Sequence, residues 1–89
     1  MKAIVSVIGT DKPGIIAKVS TCLFNFNVNI EDISQTIMQN NFTMIMFVDL
    51  SRASIKFEDL SIALEKIGTE IGMLIRIQDS GIFQAMHRI

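Results

Sequence analysis

The hydrophobic pattern of this 89-residue chain predicts an α+β fold of order β-α-β-β-α-β, a four-stranded antiparallel sheet with two helices on one face. Three observations predict it. Runs rich in β-branched residues alternate with two segments whose apolar residues recur every three or four positions. Turn-forming residues fall between these runs, at Asp11–Gly14, Asn27, Asn40-Asn41 and Gly72. Two βαβ halves joined by a hairpin then close into one sheet, because right-handed crossovers put both helices on the same side. That is the ferredoxin-like arrangement. Eighty-nine residues, 49% hydrophobic with one proline and five glycines, suffice for one packed core. We read residues 1–89 as one domain, with its core in 1–79 and a tail at 80–89.

Lys2–Gly9 is β-branched and ends at a glycine, the signature of a buried first strand. Ile15, Ile16, Val19, Cys22, Leu23 and Phe26 define one apolar face of a first helix, which Asn27 can end in a left-handed conformation. Asn29–Gln39 reads as a second strand, with Ile33, Gln35 and Ile37 on one face. Asn40-Asn41 suits a two-residue hairpin turn. Phe42–Leu50, apolar on both faces, reads as a central third strand. After a polar connection, Ser51–Ser54, the second helix spans Ile55–Ile71 with Phe57, Leu60, Leu64, Ile67 and Ile71 in register, and Gly72 stops it. Met73–Asp79 is the fourth strand and Ser80-Gly81 breaks it. The tail Ile82–Ile89, which holds His87 and Arg88, has no strong period. Strands 29–39 and 73–79 form the edges. The outer sheet face carries either Ile45 and Phe47 or Met44 and Met46, and a bare apolar face with open edges predicts an oligomer.

The strand-to-helix turn Thr10-Asp11-Lys12-Pro13-Gly14-Ile15 is the candidate site. Asp11 is placed to cap the helix through its carboxylate, and Pro13 suits a first turn, where a missing N–H costs nothing. Gly14 lets a ligand approach the backbone closely. Free N–H groups and the positive end of the helix dipole suit a small anion such as a carboxylate. The same residues would also serve a well-capped turn with no ligand.

Other chemistries find little support. Lys plus Arg is 8 and Asp plus Glu is 9, a net charge of −1 with no basic stripe, which argues against nucleic acid. Phe42 and Phe47 lack the basic surroundings of an RNA-binding sheet. Lone Cys22 builds neither a disulfide framework nor a thiolate metal site, and reads as a buried apolar residue in a reducing compartment. His87 lies far from it in sequence, so no nucleophile–base pair assembles. Asp11, Glu31 and Asp32 read as a cap and two solvated strand residues rather than paired catalytic carboxylates. The first loop offers Lys12 where an acylphosphatase-like enzyme would want arginine. Ala3–Ile8 reads as a strand rather than a signal peptide. Met44–Val48, the longest apolar run, is too short to span a bilayer. A cytoplasmic protein with no catalytic activity, metal or cofactor is the expectation.

Ile8-Gly9-Thr10-Asp11-Lys12-Pro13-Gly14-Ile15, then a helix, then Asn29-Ile30-Glu31-Asp32-Ile33, resembles the ACT-domain family of small-molecule regulatory modules. The likeness spans Met1 to Asp79. The Asp-Lys-Pro-Gly loop is particularly similar to ACT domains of the glycine cleavage system repressor and of formyltetrahydrofolate deformylase, and Phe83–Ile89 resembles the ending of small stand-alone ACT proteins. The resemblance implies a homodimer that holds an amino acid between subunits. Asp11, Lys12, Pro13, Gly14, Ile15 and Ile16 would form one wall, and Asn29 and Ile30 would supply backbone groups and the Asn29 amide. The family usually has glycine near Asn27 and often leucine at Ile15. It also includes domains that serve only for dimerisation or docking. The reading is therefore a stand-alone regulatory or sensor module for an amino acid or similar small carboxylate. The alternative is a ligand-free module docking onto an enzyme or transcription regulator.

Overall fold

Two helices lie on one face of a sheet ordered β2-β3-β1-β4. In the computed structural model, which describes Met1–Gly81, the elements are β1 (Lys2–Thr10), α1 (Ile15–Asn25), β2 (Asn29–Met38), β3 (Asn41–Asp49), α2 (Phe57–Ile71) and β4 (Met73–Asp79). All neighbouring strands pair antiparallel, with β2 and β4 at the edges. The predicted fold and strand order are those observed.

Alternation decides the faces. Ala3, Val5 and Val7, then Phe42, Met44, Met46 and Val48, then Met73, Ile75 and Ile77 all turn inward. They pack with Ile15, Val19, Cys22 and Leu23 of α1 and Leu60 and Leu64 of α2. Ile45 and Phe47 are therefore the residues that face outward, resolving the choice the sequence left open. None of the buried residues belongs to β2, which is exposed along nearly its whole length.

α1 ends as Asn27 predicted. Asn27 takes φ 58°, and the N–H groups of Asn27 and Val28 donate to the carbonyls of Phe24 (3.0 Å) and Leu23 (2.9 Å). These two bonds form a Schellman motif, and buried Leu23 and Val28 supply its apolar contact. Gly72 likewise ends α2 at φ 71°. α2 begins at Phe57 rather than Ile55, because Lys56 is still extended at ψ 154°.

The hairpin turn is one residue earlier than expected. Gln39 (φ 50°) and Asn40 (φ 69°) are the two positive-φ residues of a I′-type turn, and Asn41 already pairs with Met38 and Thr10. Burying Phe42, Met44, Met46 and Val48 fixes this register, since a one-residue slip would turn them all to solvent. At its other end β2 is interrupted by a bulge between Ile30 and Asp32. Glu31, at that bulge, pairs with Lys2 at 2.7 Å across the sheet.

Candidate functional site

The loop after β1 does not become helical where Asp11 and Pro13 suggested. The Asp11 N–H donates to the Asn40 carbonyl at 2.7 Å, which ties residue 11 to the hairpin turn and prolongs the strand geometry. Lys12 precedes a proline and is biased away from helical ψ. Gly14 is the N-cap, at φ 88° and ψ 0°, and no side chain caps α1. Asp11 is thus not the cap, and Pro13 lies outside the first turn. Gly14 instead turns the chain sharply, in a conformation that glycine alone adopts freely.

The result still favours an anion. The Gly14 carbonyl accepts the first intrahelical bond, from the Lys18 N–H at 3.0 Å, so the N–H groups of Ile15, Ile16 and Ala17 have no intrahelical acceptor. No acidic residue sits in the first turn of α1, whereas Glu58 and Asp59 sit in that of α2. The positive end of α2 is already compensated and that of α1 is not.

A shallow cavity of about 250 Å³ opens at this helix start. Asp11, Lys12, Gly14, Ile15, Ile16 and Ala17 form one side, and Gln35 and Ile37 of β2 with Phe42 of β3 form the other. The Lys12 ammonium lies beside Gly72, where a Cβ would stand 3.1 Å from its Nζ. Lys12 therefore reaches the C-terminal end of α2, where a cation is favoured. Sequence reasoning missed Ala17, Gln35, Ile37 and Phe42. The alternation of β2 does group Gln35 with Ile37, but only the 39–40 turn register sets them beside Phe42.

Asn29 and Ile30 are elsewhere in the same chain. Asn29 pairs with Asp49, which pairs with Lys2, while the Asp11 loop lies at the end where Met38, Asn41 and Thr10 align. The ten residues of β2, nine steps from Asn29 to Met38, separate these ends by roughly 30 Å at strand rise. Asn29 borders a different cavity of about 560 Å³, with Phe24, Asn27, Val28, Asp49, Ser51 and Arg52. There the Asp49 carboxylate is held below the usual range, first by the Ser51 N–H that it accepts at 2.9 Å. One chain holds the two predicted walls at opposite ends of its edge strand.

Among the described residues, no group of three or more His, Cys, Asp or Glu could hold a metal ion. Cys22 lies buried in the core, where desolvation pushes its thiol pKa up. No helix there is long and apolar enough to cross a membrane.

A βαββαβ module with an uncompensated, glycine-turned helix start beside an open edge strand is the class that this geometry defines. The chain belongs to the ACT-domain family, whose profile matches residues 2–78. Over all 89 residues it is 53% identical to the full length of a UPF0237 protein of Clostridium acetobutylicum. Among solved structures, an ACT domain protein from Streptococcus pneumoniae superposes with a TM-score of 0.82 at 41% identity, covering 93% of each chain. A formyltetrahydrofolate deformylase from Pseudomonas syringae superposes at 0.78 with 29% identity, over 90% of this chain and 28% of that one. The regulatory subunit of aspartate kinase from Thermus thermophilus, in its ligand-free form, superposes at 0.66 with 26% identity, over 86% and 50%. This is a small regulatory domain.

Proposed function

We propose that the chain is a stand-alone, homodimeric, cytoplasmic sensor that binds an amino acid or similar small carboxylate between subunits and catalyses nothing itself. The carrying observation is the cavity at the start of α1, where three N–H groups without intrahelical acceptors meet the open edge of β2. The carboxylate would sit on the N–H groups of Ile15 and Ile16 beside Gly14, flanked by Asp11, Lys12 and Pro13. The ammonium group of an amino acid would find Asp11 and the amide oxygen of Gln35 nearby.

The placement of Asn29 and Ile30 supports a two-chain site. If β2 pairs antiparallel with β2 of a second copy about a two-fold axis, the start of one strand meets the end of the other. Asn29 and Ile30 of one protomer then approach the Asp11–Ile16 loop of its partner. β2 is a long edge with Ile33, Ile37 and Met38 exposed, the kind of edge that pairs with another chain.

Light scattering and a thermal-shift screen test the proposal. The chain should have a mass near twice 9.9 kDa at micromolar concentration. At about 100 times Kd, a ligand binding only the native state adds about 2.7 kcal/mol. In a domain of this size that raises Tm by roughly 10–20 °C. A monomer, or no shift with any of the common amino acids or small carboxylates at millimolar concentration, overturns the sensor reading. The docking-module reading would then take its place. Phe24 and Ile62, 80% and 64% exposed on the helical side, favour that second reading.

A further inference from the structure

The core-facing row of the sheet is left uncovered at one edge. Ile33, Gln35 and Ile37 of β2 stand opposite Met46, Met44 and Phe42 of β3 and so share their face. The three β3 residues are buried, whereas Ile33 and Ile37 are 42% and 53% exposed. At the other edge the same row, Met73, Ile75 and Ile77 of β4, is buried where α2 packs on that strand. α1 does not cover β2 in this way.

The hairpin decides which groups of β2 face the open edge. The residues flanking a two-residue turn, here Met38 and Asn41, exchange both hydrogen bonds, and bonded and non-bonded pairs alternate down the ladder from there. The Asp11 N–H on the Asn40 carbonyl agrees, because it makes Thr10 and Asn41 a non-bonded pair on the other side of β3. Ile33, Gln35 and Ile37 therefore turn their N–H and C=O groups outward, unpaired. Around them Ile33-Ser34-Gln35-Thr36-Ile37 reads almost the same in both directions. Two such strands, antiparallel about a two-fold axis at Gln35, set Ile33 against Ile37, Ser34 against Thr36 and Gln35 against Gln35. Every pair then joins like with like: apolar, hydroxyl or amide. Asp32 falls opposite Met38, so its charge meets no other. Moving the axis to Ser34 or Thr36 sets Gln35 against an isoleucine instead.

We propose that a second copy of the chain covers this row by pairing β2 with β2 about an axis at Gln35, and so contributes Ile33 and Gln35 to the cavity at the start of α1. The proposal rests on the sensor reading above and specifies its interface. Gln35 and Ile37 already line that cavity. Ile33 of the second copy stands beside Ile37, and the two Gln35 side chains meet on the axis between the two cavities. The same register carries Asn29 and Ile30 to the Asn40 turn of the second copy, the turn whose carbonyl holds Asp11.

Disulfide linking in mixtures tests the register. Ser34→Cys and Thr36→Cys, each in a Cys22→Ala background of the full chain, alter exposed strand positions and leave the buried strand residues in place. Across the axis residues 34 and 36 form a non-bonded pair with Cα atoms about 4.5 Å apart, within the range of about 4.4–6.8 Å that a disulfide spans. Two copies of residue 34, or of residue 36, lie roughly 8 Å apart, too far to bridge. Oxidised with glutathione disulfide, an equal mixture of the two variants should give a species of twice the chain mass, and neither variant alone should. Self-linking of Ser34→Cys or of Thr36→Cys puts the axis at that residue and overturns the proposal. A mixture that stays unlinked while light scattering shows a dimer also overturns it, because the chains then join elsewhere. A monomer fails the sensor reading and this interface together. Linking as expected, with no ligand found in the thermal-shift screen, upholds the interface and fails the sensor reading alone.

Discussion

Gly14→Ala isolates the backbone conformation at the start of α1. Gly14 has φ 88°, and a Cβ built on it meets nothing within 4 Å. The substitution therefore adds no clash, and its cost is conformational. Holding an L-residue in the left-handed region costs about 1–2 kcal/mol. Restricting the unfolded chain returns about 0.4–1 kcal/mol, for a net loss of about 1 kcal/mol. For a domain of this size Tm should fall by about 4–8 °C in a thermal melt followed by circular dichroism. Gly14→Asn should lose less, because asparagine tolerates this region and its side chain can cap the helix. Asp11→Ala should change stability by no more than about 0.5 kcal/mol, since no side chain caps α1. If Gly14→Ala melts at or above the wild-type temperature, or Gly14→Asn falls as far, the turn is not held by its φ. A loss of about 1–2 kcal/mol in Asp11→Ala would return the cap to residue 11.

Gly68→Ala should destabilise, although alanine is the better helix former by about 1 kcal/mol. Its Cβ would stand 2.5 Å from the Met73 carbonyl oxygen, and relieving such overpacking costs about 1–3 kcal/mol. A higher urea midpoint than wild type would show that α2 can move off β4 freely. Cys22 should resist thiol reagents in the native protein and react once it is unfolded, because burial raises its pKa. Rapid native labelling would contradict the packing of α1. Asp49 has a depressed pKa, so the stability it contributes is complete above its unfolded value of about 3.9 and disappears as pH falls through the folded value. Wild type and Asp49→Asn should differ at neutral pH and converge in acid. A difference that persists below that range would mean the Ser51 contact acts through something other than charge.

The sequence revealed what repeats and obscured what depends on partners. The 3-4-3-4 spacing of Phe57, Leu60, Leu64, Ile67 and Ile71 marked α2, and the β-branched run before Gly9 marked β1, because periodic burial leaves periodic residues. The turn positions were harder. Asparagine at both 40 and 41 made Asn40-Asn41 attractive, but cross-strand burial of Phe42, Met44, Met46 and Val48 put Gln39 at positive φ instead. Asp11 has the residue type of a cap, and the hydrogen bond to the Asn40 carbonyl, 29 residues away, with the Gly14 turn that follows, shows why it is not. In the candidate site, the loop and helix start were legible because they are contiguous. Gln35, Ile37 and Phe42 join them through strand register, which no local pattern encodes.

The division of the predicted site between the two ends of β2 has an energetic consequence. The helix dipole contributes only about 0.3–1 kcal/mol at an exposed site. A micromolar to millimolar ligand needs about 4–8 kcal/mol, and an open cavity of about 250 Å³ on one chain cannot bury enough of it. In the proposed arrangement the rest comes from closing the cavity with β2 of the partner, so the ligand binds the dimer in preference to the monomer. Linkage then makes the effect reciprocal: the factor by which dimerisation tightens ligand binding is the factor by which the ligand tightens the dimer. A change in amino-acid concentration would thereby alter how firmly two copies are held together. In that proposed arrangement no moving part is needed, because the edge strand that would complete the site is also the strand that would join the chains.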